Sequence, residues 1–417
     1  AYMLRERSAV PVTKLMLKKH QASDFFTGIF LLTIPQAIIF FVGPIVSYWS
    51  DRHRSRRGRR LPFLLWPTPF VTLAMLGLAY SPAIGRAIHR WSGGDPADVN
   101  QTILWTMGAC WIVFEIGGVI SNALFNGLIN DVVPRAWLGR FYGLFRAVGL
   151  GAGILFNWKI IGHAETNYSI ILATVGLIYG VGFSVMCLRI KEGDYPPPPP
   201  TTPGRPLVVE AMGAYFRDCL SKPYYLWVFS FIALANAAFL PVNTFAIYTA
   251  KSYGMTMEIY GKYLAITFLT SFGLSFPLGW LADRYHPLRV GQGALLLYAA
   301  LMLAGFVWVH DQPSYGIVLL AHGIVSGIFF TGTAAIGQML YPKLKFAQFA
   351  AAGSLIAAIF NMGLGPLLGA LLDRLGSDYR YTFLASSLLA ALALGLSRSV
   401  AGRWQQFGGN TRYTAPE

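Results

Sequence analysis

Eleven apolar runs of about 20 residues dominate this sequence. Each can cross the roughly 30 Å hydrocarbon core of a bilayer as an α-helix, and a helix satisfies its own backbone hydrogen bonds there. The chain of 417 residues is 12% charged, whereas a soluble domain carries about 25% charged residues. We therefore predict an all-α polytopic membrane protein. The runs cover residues 24–49, 62–82, 102–129, 138–158, 168–188, 225–249, 258–281, 289–309, 314–340, 347–372 and 381–398.

Arginine is concentrated in one short loop between two of these runs. Residues 51–60 hold six arginines, and the chain has a net charge of +15. Basic residues in short loops mark the cytosolic side of a membrane protein, so we expect this loop and the C-terminus in the cytosol. The same pattern argues against nucleic-acid binding. Residues 1–23 are also basic; we expect them to lie on the outer side and not to form a span. The expected location is the inner membrane of a bacterium, with the chain as a monomer.

Motifs for enzymes, ATP-driven pumps and metal sites do not occur in the sequence. It contains no P-loop, HExxH or GxSxG pattern, and its three cysteines lack metal-ligand spacing. We therefore expect neither an enzyme nor a bound cofactor or metal; a coupling H⁺ or Na⁺ stays open.

The apolar runs fall into two similar halves. Pro134-Arg135, with Phe141 seven residues beyond the proline, matches Pro342-Lys343 with Phe349. In this register the first half is one span short at its start, so we expect that a first helix is missing from a plan of twelve; a natural set of eleven spans is the alternative. The predicted organisation is a five-span half over 1–190, a proline-rich cytosolic linker over 191–223, a six-span half over 224–400, and a cytosolic tail over 401–417.

The arginine-rich loop carries a family signature. Asp51-Arg52 followed by Gly58-Arg59-Arg60 resembles the loop between the second and third helices of the major facilitator superfamily. The longer spacing is similar to that of the glycoside–pentoside–hexuronide:cation symporters and the sucrose–proton symporters. This resemblance implies two helical halves related as parallel repeats. It also implies secondary transport of a small polar solute.

A second, decayed copy of this loop lies in the other half. It keeps Gly279 and the pair Asp283-Arg284 but lacks the Gly-Arg-Arg sequence. The resemblance implies that both copies act as a conformational latch, because arginine forms strong, always-charged contacts with carboxylates. The alternative is that these arginines only set the topology. The predicted latch residues are Asp51, Arg52, Gly58, Arg59, Arg60, Gly279, Asp283 and Arg284.

Ionisable side chains inside spans are costly and are functional candidates by default. Glu115 lies mid-run, and Asn122 and Asn126 recur on its helical face. The next run presents Arg146, with Asn157 on its face. We expect Glu115 and Arg146 either to pair with each other or to hold a coupling cation and the substrate.

Uncharged polar groups complete the predicted site. Amides and hydroxyls can bind a neutral polyol, but they also bridge membrane helices, and both interpretations stay open. The additional candidates are Gln36, Asn236, Asn243, His322 and Asn361.

These features predict a secondary active transporter that works by alternating access. The expected substrate is a sugar or glycoside, coupled to H⁺ or Na⁺, and the expected surroundings are the lipid bilayer. Two alternatives remain: an uncoupled or drug-type carrier, and a non-transporting membrane scaffold or assembly factor with the same fold.

Overall fold

The structure is a computed structural model that describes residues 1–134, 137–193, 219–342, 345–409 and 413–416. These residues form helices joined by short turns, without a strand. All eleven predicted apolar runs are helical, which confirms the all-α membrane fold. Nine helical stretches in the described part are long and apolar enough to cross a membrane.

The first half of the chain contains helices α1 to α8. The first N–H groups of a helix lack partners within the helix. At the start of α2 the Ser23 side chain accepts from the Phe26 N–H at 3.1 Å. At the start of α5 stands a proline, which has no N–H to satisfy. The helices are α1 (Tyr2–Lys19), α2 (Asp24–Gly28), α3 (Ile34–Arg52), α4 (Leu61–Leu65), α5 (Pro67–Ser92), α6 (Val99–Val132), α7 (Leu138–Leu155) and α8 (Ala164–Arg189), with π-helical segments at Ile29–Thr33 and Phe156–Ile160 and 3₁₀ turns at Pro96–Asp98 and Ile161–His163.

Helix α1 was not among the predicted helices: residues 2–19 form a helix that packs against α7 and α8. It is not among the nine stretches that are long and apolar enough to cross a membrane, in line with the expectation that residues 1–23 form no span. One face of this helix is buried, with Arg5, Ala9, Val12 and Met16 each at most 1% exposed. The prediction that a first helix is missing is therefore not confirmed.

The second half of the chain contains helices α9 to α16. Proline begins α9 and α12, and Asp311 and Ser314 form a reciprocal capping box at the start of α13. The helices are α9 (Pro223–Ala237), α10 (Leu240–Ser252), α11 (Met257–Tyr285), α12 (Pro287–Trp308), α13 (Gln312–Gly332), α14 (Ile336–Leu340), α15 (Phe346–Arg374) and α16 (Tyr381–Gln406).

The helices group into two compact units. The first contains the described residues of Ala1–Pro200 with the short pieces Thr256–Ala265 and Gly365–Gly369, and the second contains the remainder. In the first unit α5 packs on α6 and α8, and α3 packs on α6. In the second unit α12 packs on α13 and α16, and α9 packs on α16.

A tryptophan fixes α6 in the first unit. The Trp111 indole N–H donates to the Phe30 carbonyl in the π-helical segment at 2.9 Å, and the two rings stack with centroids 5.2 Å apart. Trp111 also stacks on Phe114 at 5.1 Å. Large buried rings leave little freedom for the helix to rotate. This packing therefore sets the direction in which Glu115, the residue after Phe114, points.

Candidate functional site

A buried arginine lies at the centre of the charged groups in the first unit. Arg5 is 0% exposed, and one of its Nη atoms donates to the Glu6 carboxylate. Its guanidinium carbon lies 4.7 Å from the ring centroid of Tyr179, 5.1 Å from that of Tyr2 and 5.6 Å from that of Phe114. Aromatic faces stabilise a cation in such positions.

The other two nitrogens of Arg5 are not satisfied. Nε and Nη1 are buried and have no hydrogen-bond partner among the described residues. A buried N–H without a partner is costly. Arg5 therefore has free donor capacity in the interior of this unit.

Glu115 belongs to the same charged group. It is partly buried on α6, and Arg5 packs against α6 at the neighbouring residues Phe114 and Gly118. Glu115 interacts electrostatically with both Arg5 and Glu6. Two carboxylates therefore share one guanidinium, and Glu115 has no ion pair or hydrogen bond within the described residues.

A cavity of about 340 Å³ opens beside this group, lined by Tyr2, Met3, Glu6, Arg7, Asn122 and Phe145. The Tyr2 hydroxyl donates to the Asn122 side-chain oxygen. The Tyr2 ring lies 5.0 Å from Phe125, 6.0 Å from Phe183 and 6.3 Å from Phe145, centroid to centroid. The cavity thus combines hydrogen-bonding groups with aromatic surface.

Glu115 and Arg146 do not pair within the described residues, so the structure does not show the first of the two alternatives for these side chains. Arg146 is exposed on α7, and the arginine that interacts with Glu115 is Arg5. The reason lies in the packing, because α1 places Arg5 against α6.

The remaining first-half candidates make local contacts. The buried Asn157 donates from its amide nitrogen to the Gly153 carbonyl at 2.8 Å, and its oxygen has no partner in the described part of the chain. Gln36 is partly buried on α3. Four predicted site or latch residues lie in described helices, but their side chains fall outside the described part of the structure: Asp51, Asn126, Gly279 and Asp283.

The second-half candidates separate into two places. His322 is buried between Tyr298, whose hydroxyl lies 2.9 Å from Nδ1, and Asn243, whose amide oxygen lies 3.0 Å from Nε2. Because an amide oxygen only accepts, Nε2 carries the proton and Nδ1 accepts from the tyrosine. Both ring nitrogens are thus satisfied by helix-to-helix contacts, so this histidine bridges helices.

Asn236 lines a separate cavity of about 340 Å³ in the second unit, together with Thr333 and Ser354. Its amide nitrogen donates to the Ile232 carbonyl of its own helix at 2.7 Å. Asn361 on α15 has a buried side-chain oxygen without a partner among the described residues.

The arginine-rich loop is anchored by two carboxylates that the sequence analysis did not single out. Asp131 at the end of α6 pairs with Arg59 at 2.9 Å and with Arg60 at 2.6 Å. Glu192 accepts from the backbone N–H groups of Arg59 and Arg60, each at 2.9 Å, and of Leu61 at 2.6 Å.

Glycine is required where this loop approaches Glu192. Gly58 has φ +104°, and a Cβ there would lie 2.5 Å from the Glu192 side chain. An L-residue would be strained in this backbone conformation and would also displace the carboxylate. The Gly-Arg-Arg sequence is thus explained by local geometry within one unit.

The second copy of the loop has different chemistry. Arg284 lies over the Trp280 ring at 5.3 Å and the Tyr285 ring at 5.7 Å. His286 accepts from the Leu288 N–H at 3.2 Å, and burial, with Arg289 nearby, lowers the pKa of His286. A neutral ring can act as the acceptor that this contact requires.

Sequence reasoning missed Arg5 and Glu6 because α1 is polar and does not form one of the apolar runs. The available signal was spacing: Arg5, Ala9, Val12 and Met16 recur at the period of one helix face. Asp131 and Glu192 had no such signal, because they become neighbours of the arginine loop only through tertiary packing.

Three known proteins resemble this chain in sequence or in structure. Over 312 residues the chain is 20% identical to the MFS transporter asaE of Aspergillus flavus; the match covers 72% of this chain and 66% of that protein, just under two thirds of its length. A bacterial homologue of the human lysosomal transporter Spinster has a similar structure, with TM-score 0.69 at 13% identity over 100% of this chain and 96% of that chain. The xylose transporter XylE from E. coli gives 0.68 at 13% identity over 96% of this chain and 93% of that chain.

These two structural likenesses, at 13% identity, concern the fold alone. The sequence itself matches a family model over residues 10–359, a range that begins within α1 and ends within α15. The described helices, the apolar spans and this match lead to one assignment. The chain belongs to the Major Facilitator Superfamily.

Proposed function

We propose that this chain is a cation-coupled transporter of a sugar or glycoside, with Glu115 as the site of the coupling H⁺ or Na⁺. The observation that carries the proposal is the imbalance of charge in the first unit. Glu6 takes the one ion pair that Arg5 offers, and Glu115 is left with electrostatic contact only.

An unpaired carboxylate at membrane depth is unfavourable by roughly 2.5–3.5 kcal/mol on insertion scales. A bound proton or Na⁺ removes this penalty. The occupancy of Glu115 then changes the charge that Arg5 and Glu6 experience, because all three groups interact. A ligand shifts a conformational equilibrium by its difference in affinity for the two states, and this change in charge supplies such a difference.

The cavity beside Glu6 is our proposed solute site. Tyr2, Glu6 and Asn122 offer hydroxyl, carboxylate and amide groups, and Phe145 offers a ring face. Sugars bind through hydrogen bonds to their hydroxyl groups and through contact of their apolar face with an aromatic ring.

A nucleoside is the second candidate substrate. The observation that favours it is the pair of rings in the cavity wall, Tyr2 and Phe145, whose centroids lie 6.3 Å apart. Such rings stack on a planar base, while Glu6 and Asn122 could bind the ribose hydroxyls.

The test is cation uptake by proteoliposomes when a panel of monosaccharides, disaccharides and nucleosides is added. We expect one class to drive H⁺ or Na⁺ uptake, and Glu115→Gln to lower that uptake about tenfold or more while the solute still binds. Glu258→Gln is the matched control, because Glu258 is an exposed carboxylate of the same unit that pairs with Lys262 at 2.7 Å.

Each outcome has a distinct meaning. Solute transport without ion movement would replace coupling by facilitated diffusion. Binding without transport would favour a non-transporting scaffold, and nucleoside-driven uptake would select the second candidate. Equal losses in Glu115→Gln and Glu258→Gln would remove Glu115 as the coupling site.

A further inference from the structure

An apolar cavity of about 390 Å³ lies in the first unit at the ends of α3 and α4, and it shares no lining residue with the proposed solute site. Its walls are formed mainly by Val46, Trp49, Phe63, Trp66, Pro67 and Ile120. Trp49 is 58% exposed and Trp66 is 69% exposed. Tryptophan prefers the level of the lipid headgroups, which places this cavity at a membrane interface.

The arginine-rich loop begins and ends at this cavity. His53 before the loop and Pro62 after it both line the cavity, and the His53 ring meets the Phe63 ring edge-on at 5.3 Å. Arg56 is three residues from His53, so its backbone lies within about 10 Å of the cavity. The charges of the loop therefore lie near an apolar space.

Only part of the loop's charge is used within the protein. Arg59 and Arg60 pair with Asp131. Arg56 and Arg57 are exposed, and their side chains contact no partner among the described residues. Two unpaired guanidinium groups thus lie next to an apolar cavity at headgroup level.

We propose that this place binds an anionic phospholipid. Its phosphate contacts Arg56 and Arg57, and part of one acyl chain fills the cavity between Trp49 and Trp66. Guanidinium groups bind phosphate through paired, charge-assisted hydrogen bonds, and the apolar walls exclude a ligand that is a free anion alone. The site is separate from the solute cavity, so the proposal does not depend on which solute is carried.

The experiment titrates the full chain, in detergent, with phosphatidylglycerol carrying brominated acyl chains. Bromine quenches nearby tryptophan, and the difference between the wild type and Trp49→Phe/Trp66→Phe isolates the signal of the cavity. We expect saturable quenching by phosphatidylglycerol and much weaker quenching by brominated phosphatidylcholine. Each arginine near an anionic headgroup contributes about a fivefold gain in affinity, so Arg56→Gln/Arg57→Gln should weaken binding roughly 25-fold.

Arg86→Gln/Arg90→Gln is the matched control. Both arginines are exposed and lie near the other end of the first unit, at the end of α5, so binding should be unchanged. Inorganic phosphate at the same concentration should not displace the lipid. Displacement by phosphate would show a free-anion site, and equal binding of both lipids, or equal loss in both double variants, would overturn the proposal; thermal unfolding shows that each variant is folded.

Discussion

A helix end followed by a proline recurs in both halves of the chain, and we call each of these places a corner. The two halves stabilise their corners with different chemistry. In each half, a helix ends just before the repeated proline, Pro134 in the first and Pro342 in the second. In the first half the anchoring group at that helix end is the carboxylate of Asp131. In the second half it is the backbone carbonyl of Leu340, which accepts from the Tyr413 hydroxyl at 2.7 Å.

The segment after the last helix of each half also contributes hydrogen bonds at the corner, and these differ in the same way. After α8, Glu192 caps three successive backbone N–H groups of the arginine loop. After α16, Tyr413 meets the Tyr224 hydroxyl at 3.1 Å, and the Pro416 carbonyl accepts from Tyr225 at 2.8 Å. One corner is thus held by ionised groups and the other by neutral hydrogen bonds.

This difference predicts how each corner responds to change. Hydrogen bonds to charged groups contribute about 1.5–3 kcal/mol, whereas neutral ones contribute about 1 kcal/mol. Charged contacts at a surface also weaken with salt. The first corner should therefore be the stronger of the two and the more sensitive to ionic strength.

The largest expected effect is that of Glu192→Ala. It removes the acceptor of three N–H groups, including that of Leu61, which is 2% exposed. We expect local opening of the loop to become easier by about 2 kcal/mol, so that the amides of Arg59 to Leu61 exchange hydrogen roughly 30-fold faster. Lys191→Ala at the neighbouring exposed position should leave these amides unchanged, and a matching increase there would refute the capping role.

Tyr413→Phe should have a smaller effect in the second half. It removes one hydroxyl that contacts both Leu340 and Tyr224, a loss of about 1 kcal/mol, or roughly fivefold faster exchange at the Thr414 amide, which donates to Phe407 at 3.1 Å. Tyr381→Phe is the control, because that hydroxyl makes no hydrogen bond within the described residues. An effect of Tyr413→Phe as large as that of Glu192→Ala would contradict the ranking of the two corners.

The sequence predicted the helices of the fold better than it predicted the residues of the candidate site. The eleven apolar runs predicted every long helix except α1, because hydropathy finds only helices that are mainly apolar, and α1 carries many charged residues. Glu115 was recognised because a carboxylate inside an apolar run is conspicuous. Its neighbour Arg5 was not, because Arg5 lies in the polar helix α1 and meets α6 only through tertiary packing.

The predicted latch loop shows the same limit: the sequence reveals the loop but not the residues that contact it in the fold. The Gly-Arg-Arg sequence of the loop could be read directly, and the φ of +104° at Gly58 gives it a physical reason. The carboxylates that hold the loop are 71 to 133 residues away from its arginines in sequence. No spacing rule connects such positions, so the resemblance to a family identified the loop but not its partners Asp131 and Glu192. The role of the loop as a conformational latch stays a prediction.

The smallest expected effect is a change of salt, and it tests the comparison without a mutation. Raising ionic strength from 0.1 to 1 M shortens the screening length from about 10 Å to 3 Å. The partly exposed pairs of Asp131 with Arg59 and Arg60, at 15–19% side-chain exposure, should weaken, and the amides of Arg59 to Leu61 should exchange about two- to threefold faster. The Thr414 amide, held by a neutral corner, should not change. Equal acceleration at both places would mean that salt loosens the protein as a whole, and the chemical difference between the two corners would then have no consequence for their stability.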